Sequence, residues 1–105
     1  MNLASVWPKH LNIWMAKYRV DFTKSASKEL KRLPDHIQRR IRTALLALAA
    51  DPFSEILKMK KIKGQESVYR IRLGDYRVVY DVQSALLLVL VIRVGHRSDV
   101  YRGVD

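Results

Sequence analysis

Residues Ser67 to Val82 read SVYRIRLGDYRVVYDV, and no other stretch constrains the fold as tightly. Gly74-Asp75 lies between two runs rich in β-branched and aromatic residues, the pattern of a two-residue hairpin turn. Such a turn sets Leu73 opposite Tyr76, Arg72 opposite Arg77, Ile71 opposite Val78 and Arg70 opposite Val79. Strand side chains alternate between faces. Tyr69, Ile71, Leu73, Tyr76, Val78 and Tyr80 therefore share an apolar side, and Arg70, Arg72 and Arg77 share the other. Like charges opposed across a strand pair destabilise it by about 0.2–1 kcal/mol. Three guanidiniums kept on one face imply an anion to set against them, and phosphate is the natural candidate.

The flanking sequence supplies the rest of a two-layer domain. Tyr18-Arg19-Val20-Asp21-Phe22 alternates apolar and polar residues, as a short half-buried strand does. Thr23 or Ser25 can cap a following helix, whose apolar positions Ala26, Leu30 and Leu33 fall at helical spacing before Pro34 stops it. Asp35 with Gln38 three residues later resembles a capping box and opens a second helix. Its stripe is Ile37, Ile41, Leu45 and Leu48, with Arg39, Arg40 and Arg42 on the wetter side, and it ends before Pro52. Residues 53–66 form a basic connector, with a short irregular strand expected around Leu57 to Ile62. After the hairpin, Gln83-Ser84 makes a second turn. The uniformly apolar run within Ala85 to Val94 then reads as a central strand covered on both faces. The expected order is β-α-α-β-β-β. That is an α+β domain with two N-terminal helices packed on a small, mainly antiparallel sheet. Residues 1–14 fit this plan poorly and read as an appended arm or as the product of a start codon upstream of Met15; Trp7, Leu11, Ile13 and Trp14 could pack on a partner or on the sheet. Residues 15–105 are then one domain.

Charge narrows the function classes. Lysine and arginine number 20 against 10 acidic residues, a formal charge of +10 on a 105-residue chain. That excess favours nucleic acid, an anionic surface or a strongly acidic protein partner. Cysteine is absent, so disulfide and thiolate chemistry are excluded. The histidines, His10, His36 and His96, are too scattered for a zinc site, and neither a metal nor a cofactor is expected. The longest apolar run, Leu86 to Ile92, is far short of the ~20 residues a membrane helix needs. Lys9 and His10 interrupt any signal-peptide core in residues 1–16. A cytoplasmic protein with no membrane partner is the simplest expectation.

Four pieces in order resemble the RelE/ParE superfamily of toxins from bacterial and archaeal toxin–antitoxin pairs. They are the opening YRVDFTKSASKELKRLP, the helix ending LAADP, the hairpin VYRIRLGDYRVVYDV and the closing VIRVGHRSDVYR. The likeness runs from about Met15 to Arg102. It implies a compact sheet with two helices on one side, and a cognate RelB-like antitoxin that wraps and neutralises the toxin. For the RelE branch it implies a ribosome-dependent endoribonuclease that cuts messenger RNA in the decoding site of the small subunit. For the ParE branch it implies a gyrase poison. A weakly active member that mainly binds its antitoxin and operator is a third reading, and fold alone does not separate them.

The same resemblance places roles on residues. Arg70 and Arg72 fall where the RelE branch has a pair of catalytic lysines, and Arg77 falls at its phosphate-clamping arginine. Arg97 matches the arginine near the end of the sheet, and Tyr101 the tail tyrosine proposed as general base. Cleavage of this kind has a 2′-hydroxyl attack its own 3′ phosphate, so a site must neutralise phosphate charge and move two protons. Arginine can do the first and not the second, because it does not deprotonate at neutral pH. Proton transfer would fall to Tyr101, if Arg97 and Arg102 favour its phenolate, and to His96, since free imidazole titrates near 6.5. Lys58, Lys60, Lys61 and Lys63 read as diffuse RNA or antitoxin contacts. Each assignment has a plainer alternative: solvated strand arginines, a turn histidine bonded to backbone, a tyrosine packed over the sheet edge.

Overall fold

The computed structural model describes residues 17–54 and 57–96. Strand β1 (Arg19–Phe22) leads into helices α1 (Lys24–Lys31) and α2 (Asp35–Ala50). Then come β2 (Lys60–Lys61), β3 (Val68–Leu73), β4 (Tyr76–Gln83) and β5 (Leu88–His96). The sheet order is β1-β5-β4-β3-β2. β1 runs parallel to β5, and every other neighbouring pair is antiparallel. The expected α+β class holds. The basic connector adds a two-residue edge strand, and the parallel β1–β5 pairing makes the sheet mixed. A parallel pairing needs a long connection, and the helices begin one.

Local chemistry explains most boundaries. Thr23 caps α1 by accepting the Ala26 N–H on its hydroxyl at 3.1 Å. The expected Asp35 capping box does not form. Pro34 occupies the cap position of α2 with no side-chain bond, and Gln38 turns back to donate to the Leu33 carbonyl at 2.8 Å. Proline lacks an N–H and its φ suits a helix start, so Asp35 serves as an acidic first-turn residue instead. Ile37, Ile41, Ala44, Leu45, Leu48 and Ala49 are the buried stripe of α2. They meet Val20, Phe22, Ile71, Val78, Tyr80, Val89, Val91 and Val94 from the sheet.

The hairpin register is the one its sequence dictates, with Leu73 on Tyr76, Arg72 on Arg77, Ile71 on Val78 and Arg70 on Val79. Gly74 takes φ +65°, a conformation that favours glycine. β5 is central, as its hydrophobicity implies, yet it starts at Leu88 rather than Ala85. Ser84–Leu86 form a 3₁₀ turn and Leu87 adopts φ 49°, which leaves Leu86 and Leu87 exposed at 68% and 44%. Hydrophobicity alone cannot distinguish a turn built of leucines from the strand that follows it. Coverage of β5 is also uneven: Val89, Val91 and Val94 are buried toward the helices, whereas Leu90 and Ile92 are half-buried. Among the described residues no helix is long and apolar enough to cross a membrane.

Candidate functional site

The sheet brings Arg72, Arg77 and the end of β5 together. Arg72 pairs directly with Arg77, and Arg77 pairs on its other side with Gly95. Three adjacent strands thus meet at the Gly74 end of the sheet, on the face away from the core. Gly95 sets no side chain beside Arg77. Arg70 lies two residues along β3, between Val79 of β4 and Lys60 of β2.

These arginines are not equally accessible, contrary to a simple cationic face. Arg72 is exposed, while Arg70 and Arg77 are only 8% and 7% exposed. A second apolar cluster occupies the same face, made by Ile62, Val68 and Val79 with Ile92 packed against it. Arg77 braces the hairpin: its Nη1 donates to the carbonyls of Gly74 at 3.0 Å and Tyr76 at 3.1 Å. Its buried Nε has no hydrogen-bond partner among the described residues. A buried guanidinium N–H left unpaired costs about 1–3 kcal/mol or more, a deficit that an anion at the face would remove. Neither Arg70 nor Arg72 has a hydrogen-bond or ion-pair partner among the described residues.

His96 does not join the guanidiniums. It pairs with Tyr76 and so shares that residue's face, the helix-bearing one. Its ring meets Tyr76 edge to face with centroids 6.0 Å apart. Strand alternation is the physical reason, and it could have been applied to GHR once Gly95 was paired with Arg77. Arg97 and Tyr101 lie outside the described residues, as does the 1–14 arm.

The four lysines split. Lys60 pairs with Arg70 and extends the guanidinium face, whereas Lys61 pairs with Tyr69 and belongs to the other. Lys58 and Lys63 are exposed in the connector and in the turn after β2. Two further arginines approach this region. The guanidinium of Arg40, from α2, comes within 3.6 Å of where a side chain on Gly74 would begin. Arg93 falls by register opposite Val79, on the guanidinium face, but its Nε donates to Glu29 of α1 at 3.1 Å. Neither stands out in the sequence: Arg40 reads as one of three solvated helix arginines, and Arg93 interrupts a run that reads as core. On the helix side, a separate groove of about 470 Å³ lies between His36, Arg39 and Arg40 of α2 and the apolar side chains of Leu57 and Leu73.

The aromatic residues of the hairpin serve packing. Tyr69 and Tyr80 stack with centroids 6.0 Å apart, and Phe53 meets Tyr69 edge to face at 5.8 Å. Burial, with a smaller contribution from Tyr69, pushes the Tyr80 phenol far above its ordinary range. Among the described residues its hydroxyl donates to one soft partner, Met59 Sδ at 3.4 Å.

Fold and site together define a small cationic two-layer α+β domain with arginines gathered at one end of its sheet. The chain belongs to the ParE toxin family of type II toxin–antitoxin systems, whose model matches residues 20–101. Relatives carry the RelE name. The chain is 36% identical over 85 residues to Toxin RelE3 of Methanocaldococcus jannaschii, a match covering 79% of this chain and 94% of the relative. It is 33% identical over 88 residues to the mRNA interferase toxin RelE of Escherichia coli, covering 80% and 90%. The RelE–RelB complex of Pyrococcus horikoshii superposes with a TM-score of 0.69 at 30% identity, covering 80% of this chain and 99% of that one. The chain is thus a type II toxin of the RelE/ParE superfamily, with the two-helix, five-stranded architecture of the RelE structures.

Proposed function

We propose that this toxin is a ribosome-dependent endoribonuclease of the RelE kind, cutting messenger RNA by attack of a 2′-hydroxyl on the adjacent phosphate. The observation that carries the reading is the convergence of Arg72, Arg77 and the β5 terminus, with a buried Arg77 Nε that has no described partner. Relatives named mRNA interferase point the same way. Arg72, exposed beside it, is the group that meets the RNA backbone first, and Arg77 and Arg70 add charge from below. Guanidiniums held rigidly at a developing oxyanion are each worth about 3–4 kcal/mol of transition-state stabilisation. No metal is needed for that neutralisation.

Proton transfer is assigned to Tyr101, with Arg97 as a further cation. His96, turned to the Tyr76 side, is not given a proton-transfer role. Lys60 continues the cationic track next to Arg70, and Lys58 and Lys63 extend it toward ribosomal RNA. Relatives are solved in complex with RelB antitoxins, and a RelB-like antitoxin is the proposed partner here. The ribosomal substrate places the protein in the cytoplasm.

The test is direct. Purified toxin added to ribosomes paused on a defined message cuts that message in the decoding site, and Arg72→Ala and Tyr101→Phe slow cutting by orders of magnitude. The family match names parDE, so gyrase inhibition is the second reading. Loss of supercoiling activity with the message intact would favour it.

A further inference from the structure

β5 outruns its neighbour. β1 stops at Phe22, opposite Val91, so among the described residues the outer edge of residues 92–96 has no strand beside it. Bare edge N–H and C=O groups need partners, and they invite pairing with other chains. α1 supplies the partners. Thr23 Oγ1 donates to the Ile92 carbonyl at 3.2 Å while capping the helix. Glu29 Oε1 accepts the Val94 N–H at 3.1 Å, and Glu29 Oε2 accepts Arg93 Nε at 3.1 Å. The Glu29 and Arg93 side chains are largely shielded, at 23% and 24% exposure.

Helix stability does not explain Glu29. It sits in the last turn of an eight-residue helix, beside Lys28 and Lys31, where the dipole disfavours a carboxylate. What its position does explain is the strand end. The inner edge of the clasped segment carries Gly95 opposite Arg77 and His96 opposite Tyr76, and the chain continues from there to Arg97. Glu29 also draws Arg93 off the face where register would place it, over the edge toward α1.

We propose that Glu29 is a positioning residue: its carboxylate stands in for a missing strand, holds the end of β5 in register against Arg77, and so fixes the geometry of the RNA-cleaving face. This rests on the nuclease reading above. It touches no substrate and acts through β5.

The experiment measures two things on the full chain. Amide hydrogen exchange at Val94, Gly95 and His96, against Val78 as internal reference, reads the clasp whatever the activity. Single-turnover message cutting on programmed ribosomes, scaled to the folded fraction, reads its consequence. Glu29→Ala raises exchange at those amides about tenfold or more. It slows the cutting step about 10- to 100-fold, as loss of sub-ångström positioning does, with the half-saturating ribosome concentration unchanged. Glu29→Gln keeps an acceptor for Val94 and recovers most of both; if the alanine form does not fold, Glu29→Lys, which offers the Val94 amide no acceptor, takes its place. A purely structural role would change the folded fraction and leave the rate per folded molecule alone. Unchanged exchange in the alanine variant, or in the lysine variant that replaces it, overturns the clasp. Raised exchange with a wild-type cutting rate overturns the positioning role. If wild-type protein cuts no message, the nuclease reading and the catalytic half of this proposal fall together, and exchange alone still decides the clasp.

Discussion

Arg72 and Arg77 oppose each other directly across the β3–β4 pair, the first exposed and the second buried against its own hairpin turn. The two therefore fail differently when truncated. Arg72→Ala removes a like-charge opposition, so stability stays level or rises by up to about 1 kcal/mol. Message cutting nevertheless falls about 10²- to 10³-fold. Thermal melting and single-turnover cleavage of the same preparation check the pair of outcomes.

Arg77→Ala strips two carbonyls, of Gly74 and Tyr76, of their guanidinium donor. It costs about 1–3 kcal/mol as well as activity. A cutting defect in that variant is interpretable only beside its denaturation curve, which makes Arg72 the cleaner probe of charge. Arg77→Lys keeps the charge but cannot reach two carbonyls and present a second edge at once, so it loses both properties in part.

His96→Ala retains cutting within about tenfold of wild type, because the imidazole meets Tyr76 edge to face across the sheet from the guanidiniums. Tyr101→Phe, in contrast, loses it. A pH–rate profile of the His96 variant that matches the wild type confirms that imidazole moves no proton in the reaction.

Tyr80 gives a pH signature. Its phenol is held neutral by burial, so its folded pKa lies above the unfolded value of 10.0. The unfolded chain then loses that proton first as pH rises. The stability contribution is intact below pH ~10 and declines by about 1.4 kcal/mol per pH unit above it. Tyr80→Phe, which among the described residues sacrifices one hydrogen bond, to Met59 Sδ, changes neutral-pH stability by less than about 1.5 kcal/mol. It also flattens the alkaline decline, seen by urea denaturation at pH 8 and pH 11.

Gly74→Ala costs about 1 kcal/mol through φ +65° alone, since the added methyl would meet Arg40 at an ordinary 3.6 Å. Urea denaturation at neutral pH measures it.

Strand and helix periodicity carried the fold well where side chains alternate strictly. The Gly74-Asp75 turn and the alternation on either side of it were sufficient to fix the whole β3–β4 register, because a slip of one residue would turn Ile71 and Val78 to the wrong face. The Thr23 cap and the α2 stripe were equally legible. The parallel seat of β1 was not, since nothing within Arg19–Phe22 encodes which strand it joins. The leucine-rich start of β5 also misled, because its composition outweighs the turn that Leu87 makes. At the site, sequence located the guanidiniums but not their depth. The apolar cluster on their face is assembled from Ile62, Val68, Val79 and Ile92, which come from four separate segments of the chain. The Glu29 bond to Val94 spans 65 residues and leaves no local pattern.

The most direct measurement is message cleavage on ribosomes paused at a defined codon, comparing wild type with Arg72→Ala at matched folded fraction. The wild type is expected to cut within the decoding site, and the variant to lose at least a hundredfold. An intact message with wild-type protein, or equal cutting by the two, would contradict the nuclease reading.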